Sequence, residues 1–421
     1  MRGIACPKDH TMPPESPHPQ ITLRILQSQY FLYFAVMGVV LPYFNLYCYH
    51  IGFDGFQIGA ISALKSATVV VFPLLWGILA DRYRMRRAIY ITCNALSVVL
   101  WIGYFFTTDF TAMMAITFVY CIFYAPLISL LEALTMDHLG AKRTAYGRMR
   151  VWGSISFIGV VLVMGAVVDR YGVEVILVVV WVGSLLQALL STAVPAQRDG
   201  KPISFQGIKT LFDGRFAIFL GCAFLMLASH GAYYGYISIH LVQLGYPGVY
   251  IGVAWALAST AEITVMMGSA ALLKRFSPER LLLAAFAVAI VRWLIVFKAT
   301  SASVILASQL LHAVTYGIFH IASILYVDQL SQPEVKTLGQ AVNNAVTYGL
   351  GLMVGFYLNG WLYARIDIEG MFLVSSAMAA LGGLCLLYTS DAADESQRVG
   401  MSGVGGGMRR GGGGGGGGGG G

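Results

Sequence analysis

The sequence predicts an all-α membrane protein with twelve transmembrane helices in two halves of six, and three observations support this fold class. Hydrophobic residues make up 57% of the 421 residues and charged residues only 11%, whereas globular domains are about half apolar and about a quarter charged. The apolar residues are grouped in runs of about 20, the length that crosses a hydrocarbon core of roughly 30 Å as a helix. A polar stretch at 195–215 separates the first six runs from the last six.

The twelve predicted helices are apolar runs between short polar loops. In the N-terminal half, residues 25–194, they lie near 25–47, 57–79, 88–106, 112–136, 151–168 and 174–194. In the C-terminal half, residues 216–388, they lie near 216–242, 250–273, 281–297, 302–326, 338–364 and 371–388. Residues 1–24 are predicted to be a cytosolic tail, because they are polar and proline-rich and lack the short apolar core of a cleavable signal peptide. The first helix is therefore expected to act as the insertion signal.

The distribution of basic residues predicts the orientation, because Lys and Arg are retained on the cytoplasmic side of a membrane. The even-numbered loops contain most of them, namely Arg82, Arg84, Arg86, Arg87, Lys142, Arg143, Arg148, Arg198, Lys201, Lys209, Arg215, Lys274, Arg275 and Arg280. The odd-numbered loops offer only Arg170, Lys298 and Arg365. We therefore expect both termini and the central loop 195–215 on the cytoplasmic face of a bacterial inner membrane. The net charge of +7 then requires no nucleic acid partner.

Signals for a cofactor or for an enzyme are missing from the sequence. The six cysteines are scattered, mostly inside apolar runs, and have no CxxC or other ligand spacing, so we expect neither disulfides nor a metal site. The sequence also lacks an HExxH motif, a phosphate-binding glycine loop and a nucleophile elbow. It therefore predicts a protein that is not an enzyme and that holds no cofactor.

The C-terminal end of the sequence differs in character from the rest. Residues 385–395 read Cys-Leu-Leu-Tyr-Thr-Ser-Asp-Ala-Ala-Asp-Glu, and the chain ends in eleven glycines. This stretch resembles a translated sequencing adapter followed by low-complexity sequence. We expect helix twelve to be truncated after about Leu384 and residues 389–421 to be a non-native tail; a genuine glycine-rich tail is the alternative.

The loop between the second and third helices carries a recognisable motif. From Gly77 to Arg87 it reads Gly-Ile-Leu-Ala-Asp-Arg-Tyr-Arg-Met-Arg-Arg, which resembles the signature loop of the major facilitator superfamily, with arginine at position 84 where that family usually has glycine. The resemblance implies a gating loop that uses Gly77, Asp81, Arg82 and Arg86. Gly77 would let helix two approach a neighbour closely, and Asp81 would pair with a basic group or a helix N-terminus. A positively charged cytoplasmic loop is the simpler alternative.

A second resemblance rests on Glu132, near the end of helix four, and on the segment from Tyr146 to Ser154. This segment reads Tyr-Gly-Arg-Met-Arg-Val-Trp-Gly-Ser and is similar to the phenylpropionic acid transporter family, which is related to nucleoside–proton symporters and to lactose permease. The resemblance implies that Glu132 and Arg150 bind substrate, with glutamate where the family usually has aspartate. Both residues lie near cytoplasmic helix ends, where charge is common, so a role at the membrane surface is the alternative.

Two charges in the second half fall where a bilayer tolerates charge least. Glu262 lies about 12 residues into helix eight and Arg292 about 11 into helix nine, so both are about 16 to 18 Å along a span of roughly 30 Å. An unpaired charge at that depth costs at least about 2.5–3.5 kcal/mol, so such residues face the bundle interior and pair. We interpret Glu262 and Arg292 as an ion pair that handles protons; a purely structural link is the alternative.

Helix ten has one polar face. Gln309, His312, Tyr316 and His320 are spaced by three, four and four residues, so they share one side of the helix. His312 lies near the membrane midplane, and histidine titrates in the physiological range, which suits proton transfer. We predict that Gln309, Tyr316 and His320 contact the substrate.

His230 in helix seven is a further predicted substrate contact. Lactose permease has an acid three residues after its helix-ten histidine, whereas this chain has Thr315 at that position. The resemblance in coupling is therefore incomplete, and Glu262 becomes the predicted proton carrier. Buried histidines that bond to neighbouring carbonyls are the structural alternative for His230, His312 and His320.

Together these residues favour a secondary active transporter, a proton-coupled symporter that imports a small organic solute by alternating access. The resemblance points to an aromatic carboxylic acid such as phenylpropionate, with nucleosides or sugars next. A drug exporter or uniporter on the same fold is also compatible with the sequence, as is a transport-inactive membrane sensor. The expected partners are the small-molecule substrate, protons and the lipid bilayer, and we expect a monomer.

Overall fold

A computed structural model describes residues 19–140, 146–195, 214–333 and 335–407, with side chains up to residue 388. These residues are mostly helical, joined by short turns, and contain no strand. Most of the predicted tail 1–24, nearly all of the central loop 195–215 and the side chains of the predicted tail 389–421 lie outside the described residues.

Ten described helices are long and apolar enough to span a membrane, and an eleventh is apolar but shorter. In chain order they are α1 (Gln20–His50), α2 (Gly55–Arg82), α3 (Arg86–Phe105), α4 (Phe110–Leu139), α5 (Tyr146–Tyr171), α6 (Val175–Ser191), α7 (Gly214–Gln243), α8 (Gly248–Leu273), α9 (Pro278–Lys298), α10 (Ala302–Leu330) and Lys336–Tyr388.

The last of these helices is 53 residues long, far more than one crossing requires. Its backbone is not helical at Ile366 and Asp367, and this break divides it into α11 (336–365) and α12 (368–388). The described chain therefore has twelve helices, and the predicted fold class is confirmed. Helix α5 begins at Tyr146, five residues before the predicted start at 151, so Arg150 lies within the helix rather than before it.

Side-chain caps fix where several helices begin. The Asp54 carboxylate accepts the Gln57 N–H at 2.8 Å, and the Gln57 side chain accepts the Asp54 N–H at 3.0 Å. This reciprocal pair satisfies two N–H groups that the first turn of α2 leaves without intrahelical partners. Asp109 caps α4 in a similar way by accepting the Ala112 N–H at 2.8 Å.

Two helices of the C-terminal half contain π-helical segments with the same local sequence. Ala313–Ile318 in α10 and Ala345–Gly351 in α11 are both π-helical, and both begin Ala-Val-Thr-Tyr-Gly. Helix α7 is interrupted at His230, between Gly214–Ser229 and Gly231–Gln243. Such interruptions change the direction of side chains and frequently occur at functional sites.

The chain forms two compact units. Unit 1 consists of 1–204, 234–260 and 356–364, and unit 2 consists of 205–233, 261–355 and 365–421. Within unit 1, α2 meets α11 so closely that a Cβ on Gly59 would lie 2.7 Å from the Cα of Gly360. The division into halves at 25–194 and 216–388 differs from these units and stays a prediction.

Candidate functional site

The centre of the polar cluster in unit 2 is Arg292 on α9, whose side chain is fully buried. Its guanidinium donates from Nε to the Ser308 carbonyl at 3.2 Å, from Nη1 to Thr315 Oγ1 at 3.1 Å and from Nη2 to Gln309 Oε1 at 3.3 Å. The guanidinium carbon also lies 4.4 Å from the ring centroid of Tyr233. Several hydrogen bonds and an aromatic face therefore stabilise a charge that is costly to bury.

His312 connects Arg292 to Glu262. Arg292 Nη1 lies 2.9 Å from His312 Nδ1, and because arginine can only donate, Nδ1 must accept. A neutral imidazole then carries its proton on Nε2, which lies 3.6 Å from Glu262 Oε2. The two charges that the sequence predicted as a pair are thus joined through the imidazole of His312, and the proton on Nε2 faces the carboxylate.

The other predicted residues of α10 belong to the same cluster. Gln309 accepts from Tyr233 Oη at 3.0 Å in addition to Arg292. The rings of His312, Tyr316 and His320 follow one another along α10, with centroids 5.2 and 6.3 Å apart and planes within 18° and 8°. The predicted shared face of α10 is therefore present, even though its central turn is π-helical.

His230 and His320 lie at the edges of this cluster. His230 Nδ1 is 2.8 Å from the carbonyl oxygen of Met226, one turn earlier, and its ring packs edge-on against Trp293 with centroids 4.9 Å apart. His320 Nδ1 is 2.5 Å from the hydroxyl of Tyr348 on α11. His230 thus makes the backbone bond expected of a structural histidine, and the substrate contact predicted for both residues stays a prediction.

Glu132 and Arg150 lie in unit 1, and each has its own neighbour. The Tyr146 hydroxyl donates to Glu132 Oε1 at 3.0 Å. The Arg150 guanidinium carbon lies 3.8 Å from the ring centroid of Phe34 on α1. Among the residues that the structure describes, Glu132 and Arg150 form no ion pair with each other, and their role in substrate binding stays a prediction.

The signature loop contains a buried ion-pair network. Arg86, at the start of α3, donates from Nε to Asp81 on α2 and from Nη1 to Asp137 on α4, each at 2.6 Å. The pairing predicted for Asp81 is present, and it ties three helices of unit 1 together. Arg82 is exposed, as a residue that faces water or lipid headgroups would be.

The close approach predicted at Gly77 is wrong. Among the residues that the structure describes, a Cβ on Gly77 would meet no atom within 4 Å. The tight contact of α2 is made instead by Gly59, near the other end of the helix. No helix in the described part of the chain therefore packs closely against Gly77.

Sequence reasoning missed Lys65, Asp137 and Tyr348. Lys65 is a lysine in the first half of the apolar helix α2, and the depth argument used for Glu262 would have found it. Asp137 lies five residues after Glu132, near the end of α4, and its partner Arg86 lies on another helix, so the sequence alone did not single it out. Tyr348 occupies the same place in its Ala-Val-Thr-Tyr-Gly sequence as Tyr316, a repeat that is visible in the sequence.

Apolar helices of membrane-spanning length that bury a charged network define a polytopic membrane transport protein rather than an enzyme. The model of the MFS_1 like family matches residues 23–374, and the chain belongs to this family of the major facilitator superfamily. The resemblance seen in the signature loop is thereby confirmed.

The similar proteins are all transporters, but their names specify different solutes. The chain is 27% identical over 367 residues to the "Probable 3-phenylpropionic acid transporter" of Escherichia coli (strain K12), a match that covers 85% of this chain and 95% of the relative. It is 25% identical over 362 residues to the maltose permease of Geobacillus stearothermophilus, covering 85% and 92%. The fold is similar to the crystal structure of nucleoside transporter NupG, with a TM-score of 0.76, 17% identity and coverage of 87% and 98%. The chain is therefore a multi-pass transporter of small solutes.

Proposed function

We propose that the protein is a proton-coupled symporter that imports a small organic anion, an aromatic carboxylic acid, by alternating access. The observation that carries the proposal is the contact of Arg292, His312 and Glu262 inside apolar helices. A relative whose name specifies 3-phenylpropionic acid supports the substrate class. The distribution of basic residues supports a bacterial inner membrane orientation with both termini in the cytoplasm, and the proposed transporter works as a monomer.

In this mechanism Glu262 carries the proton. Its side chain retains 22% of its accessible surface, whereas that of His312 retains 6%, so Glu262 is the more accessible acid of the two. When it is ionised, its carboxylate attracts the Nε2–H of His312, whose nitrogen lies 3.6 Å away; when it is protonated, that attraction weakens and the cluster loosens. Loading and release of the proton would therefore change the contacts between α8 and α10, the kind of two-state element that alternating access requires.

Arg292 sets the protonation state of His312. As long as its Nη1 donates to Nδ1, His312 cannot take a second proton at that atom. A solute carboxylate that attracted Arg292 by forked hydrogen bonds would compete for Nη1 and free Nδ1. Binding of an anion would thereby favour proton uptake, which is the coupling that a symporter needs.

A nucleoside or sugar symporter is the second candidate, because relatives include maltose permease and a nucleoside transporter. The amide of Gln309 and the hydroxyl of Tyr233 are groups that bind hydroxylated solutes as readily as anions. A drug exporter or uniporter would use the same fold without coupled proton entry, and a transport-inactive sensor would move no solute.

Reconstitution into liposomes that contain a pH-sensitive dye tests the proposal. We expect 3-phenylpropionate, added outside, to cause proton entry with the wild type. Glu262→Gln should abolish this entry but retain exchange of labelled solute across the membrane, and Glu279→Gln, at the start of α9, should behave like the wild type. Solute movement without proton entry in the wild type would contradict proton coupling, and proton entry only with uridine or maltose would favour the second candidate.

A further inference from the structure

The N-terminus of α8 is capped by a residue from another helix. The carboxylate of Asp169, near the end of α5, accepts the Gly248 N–H at 2.5 Å through Oδ1 and the Val249 N–H at 2.8 Å through Oδ2. These N–H groups lie in the first turn of α8, where a helix leaves donors without intrahelical partners and attracts a negative charge. Asp169 is 79 residues from Gly248 in the sequence, so the cap joins two helices that are distant along the chain.

Three other caps in the described chain act locally. Asp54, Asp109 and Ser277 each cap the helix that begins directly after them. Such a cap stays in place as long as its own helix is folded. The cap of α8 depends instead on the position of α5, and these two helices belong to the first six and the last six of the chain. Movement of one helix against the other can therefore make or break this cap.

The surfaces of α5 and α8 beside Asp169 consist of glycine and backbone. A Cβ on Gly165 would lie 2.5 Å from the carbonyl oxygen of Gly248, and a Cβ on Gly252 would lie 2.6 Å from that of Val161. Backbones in such close contact gain van der Waals attraction without interlocked side chains. The two helices can therefore separate here without the repacking of large side chains, and the bonds of Asp169 supply the directional part of the contact.

The cap lies where water can reach it. Asp169 is exposed, and together with Gly248 it lines a cavity of about 650 Å³ that also borders Tyr49, His50 and Tyr246. When α5 and α8 part, water can replace the protein partners of the carboxylate and of the N–H groups, so the bonds cost little to break. This end of both helices is on the side of the membrane that the distribution of basic residues predicts to be periplasmic.

We propose that Asp169 is a latch that holds the periplasmic side of the transporter closed and releases it for solute entry. The inference rests on the proposed function, because import by alternating access requires the first and the last six helices to separate at this side in one state and to meet in the other. In the closed state Asp169 caps α8, and in the open state water hydrates the carboxylate and the N–H groups.

Asp169 is a positioning residue in this scheme and binds neither the solute nor the transported proton. It sets the ratio of the closed state to the open state. Through that ratio it sets the fraction of the protein that can bind a solute from outside. Loss of the latch should therefore favour the open state.

Distances between spin labels, measured by double electron–electron resonance in lipid nanodiscs, test the latch without solute or proton gradient. The exposed Tyr171 on α5 and Val253 on α8 are replaced by cysteine for labelling. Cys6 and Cys385 are replaced by serine, and the other native cysteines are buried. Asp169→Asn keeps the size of the side chain but has one acceptor oxygen for two N–H groups and no charge. We expect it to raise the ratio of long to short distances about 2- to 30-fold, the range that corresponds to loss of a helix cap.

Gly248→Ala is the second variant. Its Cβ would lie 2.8 Å from the carbonyl oxygen of Gly165 and 2.9 Å from Asp169 Oδ1, which forces α5 and α8 apart, so long distances should increase as they do in Asp169→Asn. Asp109→Asn alters a cap within one helix and is the matched control for the first variant. Gly159→Ala on α5, whose Cβ would meet no atom of the described residues within 4 Å, is the control for the second. Both controls should match the wild type.

Uptake kinetics separate a latch from a merely structural residue. Asp169→Asn should lower both the external concentration of 3-phenylpropionate that gives half-maximal uptake and the maximal rate, because the open state binds solute from outside but must close to complete the cycle. Wild-type distance populations in Asp169→Asn would overturn the inference, as would an equal increase of long distances in Asp109→Asn. Absence of proton entry in the wild type would contradict the proposed coupling and leave the distance result standing.

Discussion

The buried cations of the two units are stabilised in different ways. In unit 2, Arg292 uses its guanidinium for hydrogen bonds to Ser308, Gln309, His312 and Thr315. In unit 1, Lys65 and Arg150 rest against the rings of Phe44 and Phe34. An aromatic face attracts a cation without using its N–H donors. A solute anion must therefore compete with protein acceptors for the donors of Arg292, whereas the described contacts of Lys65 and Arg150 are with aromatic rings and leave N–H donors for a solute.

Among the variants considered, replacement of Arg292 should cause the largest loss of transport. Arg292→Lys keeps the charge, but an ammonium cannot reproduce the planar fork that reaches four partners. We expect the initial rate of uptake to fall about 100-fold or more, since breaking a buried charge network costs about 3–5 kcal/mol. Arg280→Lys, in the first turn of the same helix, should leave uptake unchanged. An Arg292→Lys variant with near-normal uptake would show that the network is not part of the transport mechanism.

The variant His312→Asn tests the imidazole's contact with Glu262 separately from its contact with Arg292. Asparagine can place an oxygen near the Nδ1 position and still accept from Arg292, but it cannot reach Glu262. We expect His312→Asn to retain solute exchange and to reduce proton-driven accumulation about tenfold or more, because it removes the imidazole proton that faces the Glu262 carboxylate, and coupling free energies of about 1–3 kcal/mol correspond to effects of about 5- to 150-fold. Accumulation and exchange are measured in the same liposomes, with His50→Gln as the control. Equal losses in both assays would mean that His312 is a structural residue.

The fold followed from sequence because apolar runs of spanning length are the strongest signal that a membrane protein offers. The site was predicted in part. Glu262, Arg292 and His312 were found from depth and helical spacing, and these do lie together. The role of His312 between the two charges depends on which atoms face each other, and the interruption of α7 at His230 and the π-helical turn of α10 alter those directions. Residue spacing counted on an ideal α-helix cannot predict these side-chain directions.

Lys65 was missed by sequence reasoning for a different reason. The sequence shows its charge and its depth in α2. It does not show a polar helix face around Lys65 like the one that singled out α10. Its position over the ring of Phe44 on α1, 21 positions away in the sequence, is what distinguishes it. A contact between residues so far apart belongs to tertiary structure and leaves no local pattern.

The signature loop offers a test of stability rather than of transport. Asp137→Asn removes one of the two carboxylates that pair with the buried Arg86. Because Asp81 remains, we expect a loss of about 1–3 kcal/mol in the free energy of unfolding, the cost of leaving a buried hydrogen-bonding group partly unsatisfied. Thermal unfolding of the detergent-solubilised protein measures it, with Asp328→Asn as the control, because the pair of Asp328 with Lys336 is 48% and 41% exposed and such pairs contribute little. Equal midpoints for the two variants would contradict the structural role of the network.

The smallest expected effect concerns the ring under Arg150. Phe34→Leu keeps an apolar side chain of similar size but removes the aromatic face that lies 3.8 Å from the guanidinium. If aromatic support is what leaves the donors of Arg150 available, the loss should be about 0.5–2 kcal/mol, which corresponds to roughly a 2- to 30-fold weaker affinity for 3-phenylpropionate. Phe106→Leu, at a ring that is 83% exposed, is the matched control for binding in nanodiscs. Unchanged affinity in Phe34→Leu would show that Arg150 does not rely on this ring, and the contrast between the units would then rest on Lys65 alone.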